Sequence, residues 1–338
     1  YAKDIAIIRT RFQWGLTIAS IIAAFCVPLF VSSLYIINLM NYILITVVVV
    51  LGLQIVMGYC GQVSFGQAAF MGVGAFSSTV LATKLGLPFW LCLPMAGIIT
   101  GVVGLIAGAP SLRIKGFYLA MATLATHFII IWLITHLRIT GREAGLHAPS
   151  PTIGSLVLDT DHSMYYVILI VTIIMTFLAK SLVRSRIGRA FIAIRDNDLA
   201  AEVMGVNLFG YKMLAFFISC FYAGVGGSLW AHWAIAVHAE QFALFDALWY
   251  VAMIIVGGMG SITGVFFGVI FFRLLNEGLM MSATKMMAYS WSIGGAGPAL
   301  SMMLLGIVVI LFLIFEPRGL YHRWEVFKSS YRLYPFTY

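Results

Sequence analysis

The sequence predicts an all-α polytopic membrane protein of about ten transmembrane helices, and three observations carry that prediction. Of 338 residues, 62% are hydrophobic and only 9% are charged, whereas soluble chains are roughly a quarter charged. Mean hydropathy is +1.02. The apolar runs are continuous and about 20 residues long, enough for a helix to cross about 30 Å of hydrocarbon and unlike the short alternating strands of a barrel. Basic residues gather in alternate connections, as orientation in a membrane requires. The formal charge of +8 therefore reports topology and does not point to nucleic acid.

Taken in order, the expected spans are 14–35, 39–57, 66–84, 88–108, 117–137, 163–183, 211–232, 245–260, 264–282 and 297–315. The first follows Lys3, Arg9 and Arg11 and reads as an uncleaved signal anchor. Asn38 and Asn41 are expected to separate the first two spans, and Pro88 and Pro110 sit at span edges, where proline is tolerated. With the N-terminus inside, Arg113, Lys115, Lys180, Arg184, Arg186, Arg189, Arg195, Lys212, Arg318, Arg323, Lys328 and Arg332 also fall inside, and Lys84, Arg138, Arg142 and Lys285 outside. Both termini are then cytoplasmic. A single transmembrane domain over 1–338 is expected, with a cytoplasmic loop at 184–212 and an extracytoplasmic loop at 138–162.

The loop from Arg184 to Lys212 is the longest polar run between two very apolar spans. It sets Arg184, Arg186, Arg189, Arg195 and Lys212 against Asp196, Asp198 and Glu202. Its middle reads as a short helix that Asp196 or Asp198 caps and Gly205 closes. Such an element outside the lipid could be a grip for a soluble partner, or a solvated connection. The loop at 138–162 carries Arg138, Arg142 and Glu143 among turn residues, and is either a connector or a docking surface.

Two apolar regions are interrupted in the same way, by Gly58-Tyr-Cys-Gly61-Gln-Val-Ser64-Phe-Gly66 and by Gly257-Gly-Met-Gly260-Ser-Ile-Thr263-Gly264. Glycines three apart, then a hydroxyl residue three further on, hint at an internal repeat and at broken or re-entrant helices lining a path. Gly58, Gly61, Gln62, Ser64, Gln67, Gly257, Gly260 and Thr263 are the candidate lining. The neutral polar groups near the first break, Gln54 included, suit a substrate without net charge. Close helix packing by small residues is the alternative, and Gly72, Gly74, Gly97, Gly101, Gly104 and Gly108 illustrate it. Arg273 and Glu277, four apart on one helix face, can pair. Asp246 starts a helix, and His127, His136 and His232 are expected to bond between helices.

Several chemistries find no motif. There is no G-x-x-x-x-G-K-[ST] phosphate loop, no H-E-x-x-H and no G-x-S-x-G elbow. Cys26, Cys60, Cys92 and Cys220 have neither metal nor disulfide spacing.

Ordered blocks then carry a resemblance. They are the first break through Gln67-Ala-Ala-Phe70 to Gly74-Ala-Phe76, Leu112-Arg113 with Gly116-Phe-Tyr118-Leu-Ala120, Ile139-Thr-Gly141, Ile187-Gly188-Arg189-Ala190 and Ile194-Arg195-Asp196-Asn197-Asp198. Gly257-Gly258-Met-Gly260-Ser261 and Glu316-Pro317-Arg318-Gly319-Leu320 follow. In these the chain resembles the LivM-type permease subunits of bacterial ABC importers for branched-chain amino acids. The resemblance implies a non-catalytic subunit without a cofactor of its own. A second, similar permease, two cytoplasmic ATPases that bind ATP and Mg, and a periplasmic amino-acid-binding protein would complete it in the inner membrane. Arg195, Asp196, Asp198, Glu202 and Gly205 would couple to the ATPases, with Arg195 paired to their acids, and Arg138, Arg142 and Glu143 would dock the binding protein. Urea or short-chain amide permeases are similar, and an ion-coupled secondary transporter or channel is the alternative of another class.

Overall fold

The computed structural model describes residues 11–30, 33–111, 116–153, 156–157, 160–289, 297–316 and 319–333. Lys3, Arg9, Arg113, Lys115, Arg318 and the glycine-containing stretch 290–296 lie outside the described residues. Each expected span is met by a helix. In order these are α1 (Arg11–Phe30), α2 (Leu34–Leu53), α3 (Gln67–Lys84), α4 (Phe89–Ser111), α5 (Phe117–His136) and α6 (Asp161–Arg184). The polar loop that follows is itself helical, as α7 (Arg186–Asp196) and α8 (Asp198–Val203). Then come α9 (Leu208–Ala234), α10 (Leu244–Gly257), α11 (Ile262–Tyr289), α12 (Gly297–Phe315) and α13 (Gly319–Leu333).

Among the described residues, seven stretches are long and apolar enough to cross a membrane, which makes this a multi-pass membrane protein. The sequence predicts about ten spans. Of the other three, α1 and α12 hold described apolar stretches at Ile21–Phe30 and Met302–Phe312. Helix α3 is rich in Gly, Ser and Thr, and it is buried along most of its length by α9, α4 and α5, so it needs no lipid-facing surface. Asn38 and Asn41 do not break the chain. Both lie inside α2, and Asn41 is buried there, with its amide donating to the Asp161 carbonyl at 3.3 Å.

By its contacts the chain forms two compact units, Tyr1–Leu248 and Trp249–Tyr338. In the first, α9 packs most heavily on α4, α3 and α2. Small residues allow it. A Cβ on Gly74 would lie 2.4 Å from the Gly224 backbone, and the stripe Gly97, Gly101, Gly104 and Gly108 of α4 receives Phe221, Phe217, Cys220 and Phe216 of α9. Here dispersion and close backbone approach hold helices together where hydrophobic burial cannot. The Tyr222 hydroxyl donates to Met175 O of α6 at 2.9 Å, and Tyr165 reaches Ala24 O of α1 at 2.8 Å.

In the second unit, α10 and α11 form a tight hairpin. A Cβ on Gly257 would lie 2.2 Å from the Gly264 carbonyl oxygen, and one on Gly268 would lie 2.0 Å from that of Met253.

Candidate functional site

The polar segment after α6 is built from caps. Ser185 closes α6 and opens α7, its hydroxyl accepting from the Ile187 and Gly188 amides at 3.1 and 3.4 Å. Helix α7 is amphipathic and turns Gly188, Phe191 and Ile194 inward. Asn197 caps α8, accepting from the Ala200 amide at 3.0 Å, and Asn207 caps α9 in the same way. The expected caps Asp196 and Asp198 do not serve. An asparagine lies one residue ahead of α8 and takes the role. Gly205 closes α8 as expected. It adopts φ +84°, its amide bonds Glu202 O, and the Val206 amide bonds Ala201 O, which is the paired closure that a left-handed residue permits.

Helix α8 is thus fixed at both ends yet buries only Ala201. Leu199, Val203 and Met204 stand 65%, 87% and 83% exposed. Three large apolar side chains on one short polar element leave a surface suited to contact with another protein. Asp198 lies 3.9 Å from Lys212, and Glu202 is exposed.

Arg195 does something the sequence did not reveal. At the end of α7, its Nε and Nη2 donate to Asp196 Oδ1, each at 3.0 Å. Its Nη1 donates to the Gly58 carbonyl at 2.9 Å. Helix α2 widens into a π-helical turn at Gln54–Tyr59 and stops, so its last carbonyls form the negative end of the helix dipole with no further turn to bond them. A guanidinium there stabilises the end by about 1 kcal/mol once its exposure is discounted. Within this chain Arg195 is bonded to Gly58 and Asp196.

Beyond Tyr59 the first break runs without regular secondary structure from Cys60 to Gly66. Gly61 has φ +73°, and a Cβ there would meet Arg195 Cγ at 2.9 Å, so only glycine lets the arginine stem pass. A cleft of about 380 Å³ opens beside them, lined by Cys60, Gly61, Gln62, Arg195, Asp198 and Lys212 among others. Gln62 is buried to 4% exposure, and neither its amide oxygen nor its nitrogen has a partner. Ser64 is buried, its hydroxyl turned to the Gly66 amide at 3.5 Å. Gln67 is buried and satisfied: its amide nitrogen donates to Val49 O and Ser219 O at 3.0 and 3.3 Å, and its oxygen accepts from the Ser219 hydroxyl at 3.1 Å. In this conformation Gln67 is a tie between α3, α2 and α9. Of the residues proposed to line a path in this break, Gly61 and Gln62 reach the cleft.

The second break is tighter. Gly260 also adopts a left-handed φ, +82°, but α11 restarts two residues later. Gly257 is a packing glycine here, facing the backbone of Gly264. Thr263 is exposed and bonds the Ser261 hydroxyl at 3.0 Å. Tyr321 of α13 also reaches Ser261 and Thr263; burial, and then its bond to Glu325, raise its phenol above the ordinary tyrosine range. Only one conformational match, Gly61 with Gly260, answers to the suggested repeat.

At the other end of α9, about 40 Å from α7 and α8 by helix length, lies the loop after α5. Strand Leu146–His147 pairs antiparallel with Ala236–Val237. Lys84 Nζ donates to Ile139 O at 3.2 Å. His232 Nδ1 meets Pro149 O at 2.9 Å, so this nitrogen carries a proton, while Nε2 meets Ser78, itself 2.7 Å from Ser228. The loop is thus tied down, and Lys84, Arg138 and Arg142 share one end of the bundle, as the charge pattern required. Arg138, Arg142 and Glu143 are all exposed, and Gly141 with the two arginines lines a hollow of about 270 Å³. Of the three histidines expected to bond between helices, His232 does so. His136 bonds Trp132 O and Thr135 on its own helix, and His127 Nδ1 has no partner. Among the described residues no group of acids, histidines and cysteines could hold a metal.

Comparison with known proteins agrees with this architecture. The chain is 30% identical over 302 residues to the high-affinity branched-chain amino acid transport system permease protein LivM of Salmonella typhimurium, a match covering 82% of this chain and 68% of that protein. LivM of Escherichia coli gives the same identity and coverage. The probable branched-chain amino acid transport permease protein LivM of Methanocaldococcus jannaschii is 23% identical over 311 residues, 81% of this chain and 89% of that protein. No solved structure matches the chain. The family described as branched-chain amino acid transport system, permease component, matches residues 35–313, and this chain belongs to that family.

Proposed function

We propose that this chain is the non-catalytic membrane subunit of an ATP-driven importer and forms part of the path for branched-chain amino acids across the bacterial inner membrane. It works with a second related permease, two cytoplasmic ATPases that bind ATP and Mg, and a periplasmic binding protein. Helix α8 is where an ATPase pushes, and the loop with Arg138, Arg142 and Glu143 is where the binding protein docks. Both termini lie in the cytoplasm.

One observation carries the mechanical part of this reading. Helix α8 is fixed at both ends, exposes Leu199, Val203 and Met204, and continues through Asn197 into Arg195, which grips the first break. A motor outside the lipid can move a bundle only if its contact differs between two states, and a short rigid helix at the end of such a linkage passes displacement on without absorbing it. Asp198 and Glu202 supply the polar rim of the contact, and Lys212 keeps Asp198 in register.

The test uses the assembled transporter in proteoliposomes. Asp198→Lys sets two ammonium groups together where Lys212 now faces a carboxylate. Gly205→Val puts a β-branched residue at φ +84° with no other atom within 4 Å, so its effect is confined to backbone strain. Each variant is expected to insert normally, to lower transport about tenfold, and to lose stimulation of ATP hydrolysis by the binding protein. Normal transport by both would remove the coupling role from α8.

A further inference from the structure

We infer that Arg195 is a latch: its hydrogen bond to the Gly58 carbonyl holds the break after α2 in the described conformation, and the coupling element frees the break by drawing Arg195 away. The inference rests on the coupling role proposed for α7 and α8. It goes further by naming the bond through which their movement reaches the spanning helices.

Four observations converge on it. The Gly58 carbonyl belongs to the last turn of a helix that stops, and Arg195 Nη1 meets it at 2.9 Å. The rest of the guanidinium is aimed by Asp196, its neighbour on the same helix end, so a turn of the α7–α8 junction carries the fork with it. Gly61 lacks the Cβ that would strike the arginine stem, which makes the approach a built one. Arg195 is also two residues from Asn197, the cap of α8, so a push on α8 acts on it through a very short lever.

The latch is poised to open. Arg195 is 37% exposed at the mouth of the cleft, so water can replace the Gly58 carbonyl when the guanidinium leaves. The held conformation also leaves Gln62 buried with no partner for either amide atom. An unsatisfied buried amide costs free energy that movement of the break would recover. Arg195 is therefore a positioning residue for transport.

Cys60 supplies a native reporter. It lies in the break, two residues past Gly58, buried to 2% exposure and with a free thiol. In the complete complex with its ATPases, alkylation of Cys60 by N-ethylmaleimide is followed by mass spectrometry of its peptide, with and without ATP. The parent should react slowly without nucleotide and about tenfold faster with it. Arg195→Met keeps the stem and removes the donor. It should react fast in both conditions, retain its ATPases on purification, and transport poorly. Arg195→Lys should restore the nucleotide contrast in part. If Arg195→Met does not accumulate, Asp196→Asn decides, with a contrast reduced to about threefold expected from a loosened fork.

A nucleotide contrast unchanged in these variants would overturn the latch. Loss of the ATPases from Arg195→Met would also overturn it, since the arginine would then hold the partner and not the break. Failure of the coupling reading itself shows separately, as normal transport by Asp198→Lys and Gly205→Val.

Discussion

The two glycine breaks begin alike and end differently. Gly58–Gly66 and Gly257–Gly264 share their spacing, and the fourth residue of each is left-handed, φ +73° at Gly61 and +82° at Gly260. Each is touched by an amphipathic helix, α7 through Arg195 and α13 through Tyr321. The first then runs irregularly for several residues beside a cleft, with a charge on its carbonyl and an unsatisfied glutamine next to it. The second closes at once into a hairpin whose glycines interlock backbone to backbone. Spacing alone sets the turn. What surrounds the turn decides whether it is a joint or a seam: a charged, half-exposed partner can be exchanged for water, whereas interlocked backbones can only separate by unpacking.

That contrast can be broken most severely at Gly257. A valine there would drive its Cβ into the Gly264 carbonyl and the Gly268 Cα, and the hairpin should be lost. A destabilisation of about 3 kcal/mol is expected, visible in fluorescence-detected gel filtration as loss of the monodisperse species. A well-behaved Gly257→Val protein would mean that the hairpin is not a seam.

The next effect sharpens the comparison. Gly61→Ala and Gly260→Ala impose the same left-handed strain, about 1–2 kcal/mol each. The alanine at 61 also meets the Arg195 stem. Both variants should fold with slightly lower melting temperatures. Transport should fall about tenfold in Gly61→Ala and stay near the parent's in Gly260→Ala. Equal loss of transport in both would erase the functional distinction between the breaks.

Much of this was legible in the sequence, and the parts that were not share a cause. The spans were legible because a continuous apolar run of membrane length admits few other structures. The stripe Gly97, Gly101, Gly104 and Gly108 was legible because small residues four and three apart must face one neighbour. In α7 the period of Gly188, Phe191 and Ile194 betrays an amphipathic helix, but three arginines and an aspartate mask it in the sequence. Among the caps Ser185, Asn197 and Asn207, Asn197 is hidden in the sequence by neighbouring acids that could cap equally well. Gln67 looked like lining because it is polar and beside a break, yet its partners are the carbonyls of Val49 and Ser219, backbone groups that no side-chain pattern advertises. The bond from Arg195 to Gly58 joins positions 137 apart. Only the packing of α7 beneath the end of α2 brings them together, and no single sequence encodes that as a motif.

The most direct measurement is a cross-link from α8. Val203 is the most exposed of its apolar residues, and a cysteine in its place should leave both caps intact. In the assembled transporter, a short bifunctional thiol reagent should join residue 203 to an ATPase subunit, with a yield that changes between nucleotide-free and ATP-bound states. A cross-link to the binding protein instead, or none to any subunit in a complex that transports, would contradict the account.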